Sequence, residues 1–208
     1  KVAIPVAIRV ALRKDSPVCE VTVRLTNAAK DHRLRILFPT DIQKAETATA
    51  ESQFDVIDRP IRLPDPTGWK EPPYPTNPMW NFVDVSDGKQ GFAVLNDGLI
   101  EYEAVDDEPR TLAITLIRAF GKFVFDRPTP GSQCLGEHVY RFGLVPHAGD
   151  WEAGALFEKK LDFLVPFQAI LSAPTRGERP TRAGFLSLSP ESCVFSGVKQ
   201  GEDGKTAV

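Results

Sequence analysis

Cysteine is scarce in this sequence: Cys19, Cys134 and Cys193 are the only three in 208 residues. The count is odd, the spacing wide and no CxxC occurs, which argues against a disulfide framework and a zinc knuckle. The expectation is free buried thiols in a reducing compartment, and a cytoplasmic location. Histidine is equally sparse. His32, His138 and His147 stand alone, without an HxH, HxD or HExxH partner, so no metal site is expected in this chain. Oxygen ligands from Asp84, Asp87 or Asp97 remain open, although their spacing is not that of an EF-hand loop.

Excess basic charge is missing too. The 25 Lys and Arg residues are outnumbered by 28 Asp and Glu, for a net charge of −3. No clustered basic face exists to meet nucleic acid or an anionic membrane surface. Apolar runs stay well short of the roughly 18–20 residues of a membrane helix. The first residues, Lys1-Val2-Ala3-Ile4-Pro5, mimic the start of a signal peptide. Pro5, Arg9 and the lack of a small-residue cleavage site favour a strand instead. No initiator Met precedes them, and the expectation is a piece of a longer polypeptide. The nucleophile motif GxSxG, the dinucleotide motif GxGxxG and the P-loop are absent.

What is present is β patterning. At 42% hydrophobic residues, with 13 Phe, the chain can bury a core. Val21, Val23 and Leu25 alternate with Glu20, Thr22, Arg24 and Thr26, which predicts a strand with one buried face. Residues 6–12 pair with it through the turn at 13–17. Further strands are expected at 33–38, ending at Pro39, and at 53–59, 81–85, 91–95 and 99–105. The Asn96-Asp97-Gly98 turn between the last two predicts a hairpin. Residues 111–120 read as a central strand buried on both faces. Residues 138–145 form another, stopped by Pro146, and short strands follow at 185–188 and 193–198. One helix is expected over 151–161, capped by Asp150 and weakened by Gly154. About ten strands and one helix predict an all-β sandwich. Residues 173–181 resemble a linker, which divides the chain into a β domain at 1–172 and the incomplete start of a further β module at 173–208.

One stretch breaks the pattern. Seven of the 22 residues from 59 to 80 are proline, which cannot form a regular ladder. This insertion carries Trp69, Tyr74 and Trp80. Flat aromatic faces suit sugar rings, and equally suit pinning a Pro-rich loop onto a sandwich. Glu101 and Glu103 share a strand face, but within an acidic patch (Asp97, Asp106, Asp107, Glu108) that a solvated surface explains. No catalytic residue is assigned.

Several blocks, taken in order, resemble bacterial-type family 38 α-mannosidases. Residues 91–103 are similar to that family's glycine, apolar run, Asn-Asp/Glu-Gly, Glu-Tyr block. Residues 54–60 resemble its FDVxxRP, 112–118 its LALTLLR, 129–138 its TPxAQxxGxH and 144–150 its ALxPHxGD. Lysosomal and Golgi members carry Lys-Tyr-Gly after Asn-Asp, where this chain has Gly98-Leu99-Ile100. The resemblance is therefore to bacterial enzymes, or to relatives acting on mannosylated small molecules. The tail from Ser187 resembles the start of the last β domain of such enzymes, which implies continuation past Val208.

The resemblance implies a galactose mutarotase-like supersandwich from the C-terminal region of a retaining α-mannosidase. It also implies that zinc and an aspartate nucleophile belong to an N-terminal catalytic domain in the same polypeptide. The chain would then scaffold that domain and contact mannose-containing carbohydrate through Trp69, Tyr74 and Trp80. Two alternatives stand beside it: an autonomous carbohydrate-binding module, and a stand-alone mutarotase-like enzyme using His138 or His147 with Glu101.

Overall fold

The computed structural model describes residues 2–123, 126–174, 176–178, 180–184, 186–190, 192–193, 195 and 197–207. They divide into two compact units, Lys1–Pro166 and Phe167–Val208.

The first unit is a sandwich of two antiparallel sheets. The larger sheet has seven strands. These are β1 (Val6–Ala11), β2 (Cys19–Asn27), β4 (Thr47–Ser52), β5 (Asp55–Pro60), β7 (Phe82–Ser86), β8 (Gln90–Asn96) and β13 (Gly136–Ala148). Their spatial order is β1-β2-β13-β8-β7-β4-β5. The smaller sheet runs β3 (Arg33–Phe38), β10 (Leu112–Arg118), β9 (Glu101–Ala104), β6 (Thr76–Pro78). A two-stranded ribbon joins β11 (Lys122–Phe123) to β12 (Arg127–Pro128).

Alternation decides the faces. On β2, Val21, Val23 and Leu25 are buried and point toward the smaller sheet, where they join Phe38, Tyr102, Leu112 and Ile114 in one cluster. Phe38 and Phe142 meet edge to face across the layers, with ring centroids 5.5 Å apart. The opposite face of the larger sheet buries Phe82, Ala93, Leu95 and Val145 against Leu156 and Phe163 of the helix α1 (Leu156–Leu164). β10 is the buried central strand its composition predicts. It bulges between Thr115 and Ile117, and the Leu116 carbonyl there accepts a hydrogen bond from the Tyr140 hydroxyl of the other sheet at 3.0 Å.

Five expectations need correction. The Pro-rich stretch 59–80, expected to form no ladder, supplies β6, in which Thr76, Asn77 and Pro78 pair with Glu103, Tyr102 and Glu101 of β9. Asn96-Asp97-Gly98 is a corner between the two sheets, since β8 and β9 do not pair. The buried Asn96 shapes it, donating to the Trp80 carbonyl and accepting from the Leu99 amide, while Gly98 takes φ +90°. β13 runs through Pro146, which sits opposite Phe92, instead of stopping before it. The helix begins at Leu156, because Ala155 is left-handed (φ 49°) and ends a turn that Asp150 caps by accepting from the Ala153 amide. β4, with only Thr, Ala, Glu and Ser, was not expected at all.

The second unit contains a small pairing of β14 (Lys199–Gln200) with β15 (Thr206–Ala207). Residues 186–188, 193, 195 and 197–198 are not strands, contrary to expectation. Phe185, Val194 and Ser196 of those expected strands lie outside the described residues.

Candidate functional site

The Pro-rich insertion presents its aromatics to solvent. Trp69, Tyr74 and Trp80 are 55%, 76% and 49% exposed. Trp69 closes a turn onto the Pro66 carbonyl, next to an Asp65–Thr67 turn in which Asp65 accepts from both the amide and the hydroxyl of Thr67. Trp80 is anchored through its backbone, its amide donating to the Glu51 carbonyl at 2.8 Å. Tyr74 lies among Pro72, Pro73 and Pro75. None of the three enters a ring–ring pair among the described residues. Flat apolar surface is available at all three.

The carboxylates of the smaller sheet are neutralised. Glu101 accepts from Arg33 at 2.7 Å, from Thr115 at 2.7 Å and from Arg118 at 3.1 Å. Glu103 pairs with Arg35. A dyad with one free acid and one free base is not what these two groups form.

The histidines are engaged elsewhere. His138 Nε2 contacts the Cys134 carbonyl at 2.8 Å, and its ring stacks on Tyr140. His147 Nε2 lies 2.9 Å from Asp84 Oδ1, with both side chains buried. Burial by itself would push the imidazole pKa down; the hydrogen bond and charge of Asp84 outweigh it, and the pKa stands above the ordinary histidine value. Neither histidine meets Glu101, the carboxylate named for a stand-alone mutarotase-like enzyme; the histidine–carboxylate pair that forms is His147 with Asp84, and it is buried. His32 is different again: both ring nitrogens are buried with no hydrogen-bond partner among the described residues.

The three candidate cation ligands also part. Asp84 serves His147, and Asp97 faces Arg141 at 3.4 Å. Asp87 accepts from the Gln90 and Lys89 amides, bonds that hold its carboxyl below the usual range. Among the described residues, no group of three or more His, Cys, Asp or Glu side chains is placed to hold a metal ion. Nor is any helix there long and apolar enough to cross a membrane.

One buried ion pair escaped the sequence reading. Lys160 on α1 donates to Glu51 Oε1 at 2.6 Å, and Glu51 Oε2 accepts from the Asn81 amide. Glu51 and Lys160 are 109 positions apart, and no local pattern links them.

The motif residues therefore build the sandwich. Asn96 shapes a corner, Asp150 caps a turn, and Gln133 exchanges two hydrogen bonds with Asp31.

Comparison with known proteins fits this picture. The family described as "Glycosyl hydrolases family 38 C-terminal domain" matches residues 2–126. A protein of Halalkalibacterium halodurans named "Putative mannosylglycerate hydrolase" is 32% identical over 190 residues, 89% of this chain and 20% of that protein. The crystal structure of an alpha-mannosidase from Enterococcus faecalis V583 is similar with a TM-score of 0.72 and 33% identity, over 83% of this chain and 19% of that one. A glycosyl hydrolase family 38 protein from Enterococcus faecalis gives a TM-score of 0.70 and 32% identity, over 84% and 20%. The chain spans about a fifth of the length of these relatives. With the sequence blocks, the two-sheet architecture and the family match in agreement, the chain belongs to glycosyl hydrolase family 38, in that family's C-terminal domain.

Proposed function

We propose that this chain is the non-catalytic C-terminal β domain of a zinc-dependent, retaining α-mannosidase-like hydrolase. The parent would cleave α-mannosidic bonds in a catalytic domain of the same polypeptide. The sandwich would scaffold that domain and help wall its cleft, while Trp69, Tyr74 and Trp80 meet mannose-containing carbohydrate or the neighbouring domain. The observation that carries this reading is the match of residues 2–126 to a C-terminal domain, in a chain about a fifth as long as its relatives.

The described residues offer no fitting set of ligands for zinc. On this reading the metal and nucleophile belong to the catalytic domain, and no step of hydrolysis passes through a residue of this chain. Cys19 and Cys134 are half-buried and Cys193 is exposed, not buried as expected; as free thiols they go with a reducing, cytoplasmic setting for the parent. We assign residues 1–172 to the sandwich domain and 173–208 to a second module, although the first compact unit ends at Pro166.

The test is turnover of nitrophenyl α-mannoside by the purified chain, with and without added zinc. No turnover above background is expected; turnover that rises with protein concentration would overturn the non-catalytic assignment. A second reading, an autonomous carbohydrate-binding module, draws on the exposure of the three insertion aromatics. It requires saturable binding of mannose oligomers that weakens in Trp69→Ala or Trp80→Ala. Calorimetry without a binding signal leaves the scaffold role alone.

A further inference from the structure

The outer face of the smaller sheet carries a feature that the proposed function does not use. β6, β9, β10 and the corner at Gly98 line an open hollow of about 480 Å³. That lies within the roughly 300–1,000 Å³ typical of small-molecule sites. The charged side chains lining it are Glu101 and Arg118. Glu101 is already committed to Arg33, Thr115 and Arg118. Arg33, which lies outside this hollow, also donates to that carboxylate, so Arg118 holds only a share of its charge.

Arg118 is the group able to meet a ligand's charge. Glu101 takes only its Nη1, and the side chain is 68% exposed. The rest of the planar fork has no hydrogen-bond partner among the described residues, and a guanidinium held at one corner is preorganised to meet a second carboxylate. Arg118 also lines a neighbouring hollow of about 640 Å³. Arg33 and Lys122 line it as well, with Asp31 as its one carboxylate and His32 alongside, whose buried ring nitrogens have no partner among the described residues. Lys122 pairs with Asp126 at 3.2 Å, and Asp31 accepts from Gln133. The cationic side chain common to both hollows is thus Arg118.

The remaining wall of the first hollow is mixed. Pro78, Leu99, Ile100 and Leu116 supply apolar surface, and Ile100 is 73% exposed. The Asn77 amide donates to the Pro75 carbonyl at 3.3 Å, while its side-chain oxygen accepts nothing among the described residues. An apolar wall, an amide oxygen and an oriented guanidinium together fit a ring with hydroxyls and one carboxylate.

We propose that this hollow binds a carboxylate-bearing, hydroxylated small molecule of up to disaccharide size, such as an acidic glycoside. Arg118 anchors the carboxylate. Glu101 is a positioning residue that holds Arg118. Asn77 accepts from a ligand hydroxyl, and Pro78 and Ile100 cover an apolar ring face. The site stands independently of whether the parent hydrolyses mannosides.

Calorimetry on the full chain tests it with three probes: mannosylglycerate, methyl α-mannoside as its neutral counterpart, and inorganic phosphate as a bare anion. Mannosylglycerate is expected to bind saturably and roughly tenfold or more tighter than the neutral sugar, the scale of a charge-assisted bidentate contact. Arg118→Gln, at an exposed side chain and checked for an intact fold by circular dichroism, is expected to remove that advantage. Asn77→Ala weakens both sugars, and Trp69→Ala changes neither. The proposal is overturned if mannosylglycerate shows no saturable binding, or binds folded Arg118→Gln as well as the parent chain. Phosphate binding as tight as mannosylglycerate overturns the glycoside assignment, because a bare anion would then suffice.

Discussion

His147 on β13 reaches across Gly91 on β8 to hydrogen-bond Asp84 on β7, 2.9 Å away. The side chains are 2% and 1% exposed. Gly91 stands directly opposite His147 in the register, and its missing side chain is the space the imidazole occupies. Gly154, from the turn before α1, closes over the same ring, where a Cβ would lie 2.8 Å from it. The pair thus ties three adjacent strands to the start of the helix.

This pair makes stability depend on pH. The pKa of His147 is raised in the folded state, so its contribution is complete below the unfolded value near pH 6.5 and is lost as pH rises through the folded value. Thermal unfolding between about pH 6 and pH 9 should show a midpoint that falls with rising pH, and a flatter profile in Asp84→Asn. Equal slopes in the two proteins would exclude the pair as the source. Asp84→Ala, which strands a buried imidazolium, should cost about 3–5 kcal/mol at pH 6.

Gly91→Ala should be more harmful than its size implies. The new Cβ would lie 2.3 Å from the imidazole Cε1, and the ring has nowhere to retreat between Gly91 and Gly154. A loss of about 1–3 kcal/mol in urea unfolding is expected. In a His147→Ala background the added methyl should cost much less, since the clash is gone. Additive losses in the double-mutant cycle would contradict this packing.

The Glu51–Lys160 pair should separate sharply from exposed pairs. Its side chains are 8% and 11% exposed, whereas those of Glu20 and Arg13 are 33% and 67%. Lys160→Met leaves a buried carboxylate without its cation and should cost about 3–5 kcal/mol. Arg13→Met should cost about 0–1 kcal/mol. Chemical denaturation of both variants at neutral pH checks the ratio.

Trp69→Ala and Tyr74→Ala should barely touch folding. Both rings are more than half exposed, so losses within about 0.5 kcal/mol are expected. A loss of about 2 kcal/mol or more would mean that these rings pin the insertion to the sandwich instead of presenting a surface.

Local chemistry by itself settled the β character of this chain. Val21, Val23 and Leu25 alternate, and a period of two has one structural reading. The run through β10 is apolar enough to require cover on both faces, and it received it. Tertiary structure decided what short-range pattern does not encode. β4 holds its place between β7 and the edge strand β5 because Ala48 and Ala50 are small enough to pack under neighbours supplied from elsewhere, not because it is strongly apolar. The Asn96-Asp97-Gly98 turn becomes a corner because β9 finds its partners in the other sheet. Asp84 and His147, 63 residues apart, become a pair only when register places Gly91 between them. Sequence determines which residues are able to be buried and which backbones turn; the partner of each buried charge is chosen by strands that meet only when the sheets assemble.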